Sequence, residues 1–220
     1  VALASGFASL RRFNAAFKDH YGLSPTRLRR HRESDAGGRA PDAAPTRASD
    51  DVAQVRLGYR PPYDIDAMVD FLRARAVAGV EDVVGHGPAA RYRRTLDLRS
   101  AHHAAQGWYE VGFDAERHQL LLRVSEALLP ALPTLIRRVR AQFDLDADPV
   151  AIGECLMPQL AIDPGLRVPG AIDGFELAVR AILGQQVTVA AARTLVTRLV
   201  QRFGRPLTTR GRYFQPATAV

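Results

Sequence analysis

Apolar residues along this chain follow two different periods, and the change of period divides it. Apolar and polar residues alternate at Val55, Leu57 and Tyr59, and strands are also predicted over Val80 to Gly85 and Tyr92 to Leu98. Trp108 to Phe113 and Gln119 to Val124 alternate as well and read as a hairpin turning over Asp114 to Arg117. A period of two is that of half-buried strands. Helical spacing appears at Ile65, Met68, Val69, Phe71, Leu72 and Ala76, behind a cap at Asp64. It returns at Leu132, Leu135, Ile136, Val139 and Phe143, within a long helix predicted over Leu128 to Phe143. Pro130 and Pro133 fall near the start of that helix, where proline is tolerated. A short helix is predicted over Ile152 to Leu160. Strand, helix, further strands and helix describe an α+β domain on an antiparallel sheet, assigned to residues 54–160.

Residues 161–220 keep the helical period. Phe175, Val179, Ile182 and Leu183 mark one helix face, with Asp173 placed to cap it. Gly184-Gln185-Gln186-Val187 interrupts the pattern. A second run from Val189 to Phe203 is apolar at Val189, Leu195, Val196, Leu199, Val200 and Phe203, and Gly204 is expected to end it as a C′ residue. Two packed helices joined at a polar corner follow, a form that any α domain could use.

The first thirty residues are helical in another way. Ser9 can cap a helix with Leu10, Phe13, Ala16 and Phe17 on one face and Arg11, Arg12, Asn14 and Lys18 on the other. Helix, glycine turn and basic helix make the outline of a partial, all-α helix-turn-helix. Residues 31–53 are rich in Ala, Gly, Pro, Ser, Asp and Arg without an apolar period, which reads as a flexible linker. Such a linker raises the local concentration of one module near the other's DNA.

Charge narrows the partners. A net charge of +7 on 220 residues, carried mainly by arginine, favours polyanions, nucleic acid first. One cysteine, Cys155, excludes an internal disulfide and a multi-cysteine zinc site. It fits a cytoplasmic, nucleoid-associated location. No apolar run approaches a membrane span. His102, His103 and His118 lack accompanying carboxylates, so neither a metal nor a cofactor is expected. The partner expected is double-stranded DNA, bound by a monomer. The chain opens mid-pattern at Val1 and stops at Val220 without a closing element, as an internal fragment would.

Particular residues sharpen this outline. Arg167-Val168-Pro169-Gly170 and Ala181-Ile182-Leu183-Gly184-Gln185-Gln186-Val187 resemble the start of the helical domain in AlkA-type 3-methyladenine DNA glycosylases, of the helix-hairpin-helix superfamily. Tyr59-Arg60-Pro61-Pro62-Tyr63-Asp64, Phe71 to Val77, Tyr92 to Leu96, Phe143-Asp144-Leu145 and Pro164 to Arg167 resemble the same family's TBP-like amino-terminal domain. Ala4 to Phe7, Phe13, Phe17-Lys18, Tyr21-Gly22 and Ser24-Pro25 resemble the second helix-turn-helix of AraC-type regulators. The whole resembles an Ada-like regulator fused to an AlkA-type glycosylase.

The resemblance implies roles. Ser9, Arg11, Arg12 and Asn14 would contact bases and phosphates from the recognition helix. Gln186, beside Gln185, would enter the duplex from the minor groove where a base has been flipped out; the alternative is that the two glutamines only cap a helix corner. Phe71 would line the pocket for a cationic alkylated base, although on pattern alone it is a core residue. Arg75, one turn on, is a weaker candidate with a structural reading. The family's glycine-rich hairpin and catalytic aspartate would follow Val220, so no catalytic residue is assigned within the chain. Asp163 and Asp173 do not match that position. Substrates would be alkylated duplex DNA and, for the regulator half, promoter DNA. The alternative is an alkylation-responsive regulator whose glycosylase-like half only binds DNA.

Overall fold

The computed structural model describes residues 9, 11–12, 14–15, 52–99, 104–156, 160–161, 163–205 and 207. Most of the helix-turn-helix, nearly all of the linker, His102, His103 and residues 208–220 lie outside them. Among the described residues no helix is long and apolar enough to cross a membrane.

Five antiparallel strands form one sheet: β1 (Val52–Gly58), β2 (Glu81–Val84), β3 (Arg91–Arg99), β4 (Ala104–Asp114) and β5 (Gln119–Ser125), in the order β1-β5-β4-β3-β2. The register pairs Val55 with Leu122, Val111 with Leu122, Phe113 with Leu120 and Tyr92 with Val111. Large apolar residues of four strands therefore share one face, because side chains alternate. That face is covered by α1 (Ile65–Arg75), which buries Ile65, Met68, Val69 and Leu72, and by α2 (Leu132–Gln142), which buries Leu132, Leu135 and Val139. Tyr92, Phe113 and Phe143 meet edge to face inside, with centroids 5.8–6.1 Å apart. On the opposite face Glu110 is held between Arg93 (2.7 Å) and Arg123 (2.8 Å).

Asp64 caps α1 as expected, accepting from the Ala67 N–H at 2.8 Å. The long helix expected over Leu128 to Phe143 is two elements. Glu126–Ala131 is a 3-10 turn containing Pro130, and α2 begins at Leu132 with Pro133 in its first turn. Proline has no N–H to donate and its ring crowds the preceding turn, so one continuous α-helix cannot run through both. The next helix, α3, is described over Pro149–Leu156 and starts earlier than the expected Ile152; residues 157–159 of the expected helix lie outside the described residues. Asp148 accepts from the N–H groups of Val150 and Ala151 and so opens it ahead of Ile152.

Two further helices, α4 (Gly174–Leu183) and α5 (Val189–Phe203), follow a segment that is tied to the sheet domain. Arg167 is buried there. Its guanidinium donates to the carbonyls of Arg60, Pro62 (3.0 Å), Asp144 (3.3 Å) and Ala147 (3.1 Å) and lies over the Tyr63 ring. Gly165 has φ +85°, and a Cβ there would stand 2.9 Å from the Pro62 backbone, so only glycine fits. Gly204 closes α5 but not as a left-handed C′ residue. Its φ is −69° and its ψ 155°, so the chain leaves in an extended conformation.

Candidate nucleic-acid interface

The corner between α4 and α5 is built by capping. The Gly184 N–H donates to the Arg180 carbonyl at 2.9 Å, ending α4. Thr188 opens α5 by accepting from the Ala191 N–H at 3.2 Å. Between them Gln185 and Gln186 are exposed, and Gln186 adopts φ +56°. A residue with a Cβ is strained in that left-handed region by about 1–2 kcal/mol. The turn therefore leaves two amide side chains exposed at a local energetic cost. Thr188 was not singled out as a cap in the sequence, although threonine before an Ala-rich helix is an N-terminal signal.

Phe71 sits on α1, half-buried beside the core. The Arg75 guanidinium lies over its ring, 3.8 Å from the centroid. The ring thus holds a planar cation on its π-face. Arg180 of α4 donates to the Arg75 carbonyl at 2.9 Å, so the end of the Phe71 helix and the base of the glutamine corner are in direct contact.

Beneath this contact lies a buried ion cluster absent from the sequence expectations. Glu81 accepts from Arg94 (2.8 Å), Arg180 (2.5 Å) and the Tyr92 hydroxyl (2.5 Å). Glu176 accepts from both Arg94 and Arg180. Gln142 extends the network, donating to the Tyr92 oxygen (3.1 Å) and accepting from the Tyr109 hydroxyl (2.7 Å). Burial acts to raise the Glu81 pKa, but Arg94, Arg180 and the tyrosine together hold it below the ordinary carboxylate value. A glutamate two positions into a helix and an arginine four residues on is a common surface pair, so nothing in the spacing marks Glu176 and Arg180 as buried partners of the sheet.

Of the two aspartates weighed in the sequence, Asp173 caps α4, accepting from the Glu176 N–H at 2.9 Å, with Arg138 3.6 Å away. The Asp163 carbonyl closes a turn to Leu166. Both fit local structural roles. At the other end of the chain the Ser9 Oγ accepts the Arg12 N–H at 3.2 Å, the cap expected there. Arg11 and Arg12 are exposed and Asn14 is half-buried.

The profile of the AlkA N-terminal domain matches residues 54–173. Over 151 residues the chain is 38% identical to DNA-3-methyladenine glycosylase 2 of Escherichia coli (strain K12), covering 69% of this chain and 51% of that protein. Over 213 residues it is 36% identical to a Mycobacterium tuberculosis (strain CDC 1551 / Oshkosh) protein named "Probable bifunctional transcriptional activator/DNA repair enzyme AlkA", covering 94% of this chain and 40% of that one. The chain spans about half the length, or less, of these relatives. The five-stranded antiparallel sheet with its helices, and the match over more than half the sequence, show that this chain belongs to the AlkA N-terminal domain family.

Proposed function

We propose that this chain is part of a base-excision enzyme that hydrolyses the N-glycosidic bond of alkylated purines, such as 3-methyladenine, in duplex DNA. The observation that carries the reading is the α4–α5 corner. Gln186 is held outward in a strained turn that is tied through Arg180 to the helix bearing Phe71. An enzyme acting on a base inside a duplex must open the stack and hold the base it removes. The corner supplies side chains for the gap, and Phe71 supplies an aromatic ring on which a cationic base would take the place of the Arg75 guanidinium. The relatives' names, one a glycosylase and one a bifunctional activator and repair enzyme, support this reading.

Residues 1–30 act in this proposal as part of an AraC-type DNA-binding module, with Ser9, Arg11, Arg12 and Asn14 on its DNA face. The catalytic carboxylate belongs to the helical glycosylase domain that residues 161–220 begin, and the 220 residues alone excise no base. The protein works as a cytoplasmic monomer without a cofactor. The test is release of 3-methyladenine from alkylated duplex DNA by these 220 residues beside the full-length gene product. Release by the full-length product only is the expected result. Release by neither favours the second reading, an alkylation-responsive regulator whose glycosylase-like half only binds DNA, to which the name of the M. tuberculosis relative gives weight.

A further inference from the structure

Resting on the base-excision reading above, we propose that Arg180 is a positioning residue. It fixes the Gln185–Gln186 corner relative to the helix that carries Phe71 and the Arg75 stacked on it, so that the stack is opened beside that helix.

Three separate elements meet on this one side chain. Its Nη1 donates to the Arg75 carbonyl at the end of α1 (2.9 Å), its Nη2 to Glu81 Oε1 on β2 (2.5 Å) and its Nε to Glu176 Oε1 on its own helix (2.7 Å). Its backbone carbonyl accepts the Gly184 N–H that starts the corner. Arg94 of β3 completes a closed ring: it takes the second oxygen of Glu81 and the second oxygen of Glu176. Each of the four carboxylate oxygens is thus assigned to one arginine. Two cations and two anions balance, with the four side chains only 5–25% exposed.

Arg138 holds the start of α4, donating to the Ile172 carbonyl (3.0 Å) beside Asp173, but at the end of α4 that leads into the corner the directed contacts to the sheet domain are those of Arg180. Apolar contact between α4–α5 and the sheet domain is made by small aliphatic residues: Leu183, Val196 and Val200 pack against Val77 and Val80, with Val179 and Leu199 half-buried beside them. Such contact is non-directional, and small aliphatic side chains let a helix slide or turn. Two guanidinium forks do not, because each donor direction is fixed by the planar group. A buried ion ring adds little net stability over apolar residues of the same size, so its usefulness here lies in fixing one arrangement. Rotation of α4 about its axis would break contacts to the sheet and to α1 together.

The experiment reads position and function separately. Nitroxide labels at Ala74→Cys on α1 and Gln185→Cys at the corner, both exposed sites, are placed in this chain with its one cysteine changed, Cys155→Ser. Pulsed electron resonance then gives their distance distribution. A single narrow distribution is expected for the parent and a broadened or shifted one for Arg180→Met. Arg180→Lys keeps the charge but loses the fork, so it should regain thermal stability while the distribution stays broad. The doubly neutral Arg180→Met/Glu176→Gln, which leaves no unpaired charge, should also fold and stay broad. In the full-length protein, a duplex with 2-aminopurine beside an abasic-site analogue reports opening of the stack. The Arg180 variants should lower its fluorescence rise about tenfold or more at saturating protein. A distribution unchanged in Arg180→Met and Arg180→Lys overturns the proposal, as does a broadened one with normal stack opening. A narrow parent distribution in a protein that opens no stack would sink the base-excision reading instead, and broadening in the variants would still place Arg180 as the registering residue.

Discussion

In the sheet domain Val55, Leu122, Leu135 and Phe143 are fully buried, whereas on α4 and α5 Phe175, Ile182 and Phe203 are 68–70% exposed. Both regions are rich in apolar residues at regular spacing, so composition does not separate them. What separates them is closure. The sheet face finds α1 and α2 within the same 120 residues or so, and each apolar row meets another. The helix pair has one inward strip, with Val196 and Val200 buried and Leu183 partly so, and it leans on the domain through charge. The surface that α4 turns to the sheet carries Glu176 and Arg180, while Phe175 and Ile182 point away. The difference teaches that the first region stands on packing and the second is held in place by directed hydrogen bonds.

That contrast can be broken from either side. The largest effect is expected in the packed region: Phe143→Ala leaves a cavity among Tyr92, Phe113 and Leu145, and should destabilise by about 3–5 kcal/mol in denaturant titration. Arg94→Met should cost about as much, about 3–5 kcal/mol, because it strands buried carboxylates at Glu81 and Glu176. A cost below about 1 kcal/mol there would mean that the joint is packed rather than paired.

Acid offers a graded version of the same test. Burial pushes the Glu81 and Glu110 carboxyls up, but their arginines outweigh it and hold both below the ordinary value. Groups depressed in this way contribute stability above the unfolded pKa, about 4.3 for glutamate, and lose it as pH falls through the lower folded value. Stability should therefore fall below pH of about 4.3, and the fall should be shallower in Glu110→Gln, followed by thermal unfolding at pH 3 to 7.

Smaller effects belong to the corner and the open face. Thr188→Ala should cost about 1 kcal/mol by removing the cap of α5. Phe175→Gln and Ile182→Gln should change the stability of this chain by less than about 0.5 kcal/mol, while reducing the binding of an apolar dye. A large loss from either would show that the face is packed in solution and would erase the contrast.

The sheet domain was legible because its signals are local. Alternation gave the strands and Asp64 gave a cap. Where the reading slipped, steric detail decided: Pro130 split one helix into a 3-10 turn and α2, and Gly204 took an extended rather than a left-handed exit. The motif Pro164 to Arg167 was visible as a resemblance, but its job was not. Arg167 reaches carbonyls more than a hundred residues away, at Arg60 and Pro62. The ion ring was hidden for the same reason. Glu81, Arg94, Glu176 and Arg180 are ordinary charges in one dimension and become a site only when the sheet and α4 meet. Gln185 and Gln186 could be singled out by sequence, while the left-handed backbone of Gln186 could not, since that region usually belongs to glycine or asparagine.

The most direct measurement is single-turnover release of 3-methyladenine from alkylated duplex DNA by the full-length protein, with and without Gln186→Gly. Glycine relaxes the left-handed turn, so folding should be retained or slightly improved, while loss of the side chain from the opened stack should slow release about tenfold or more. Unchanged release by a folded Gln186→Gly protein would contradict the role given to the corner, and no release by the parent protein would contradict the enzyme itself.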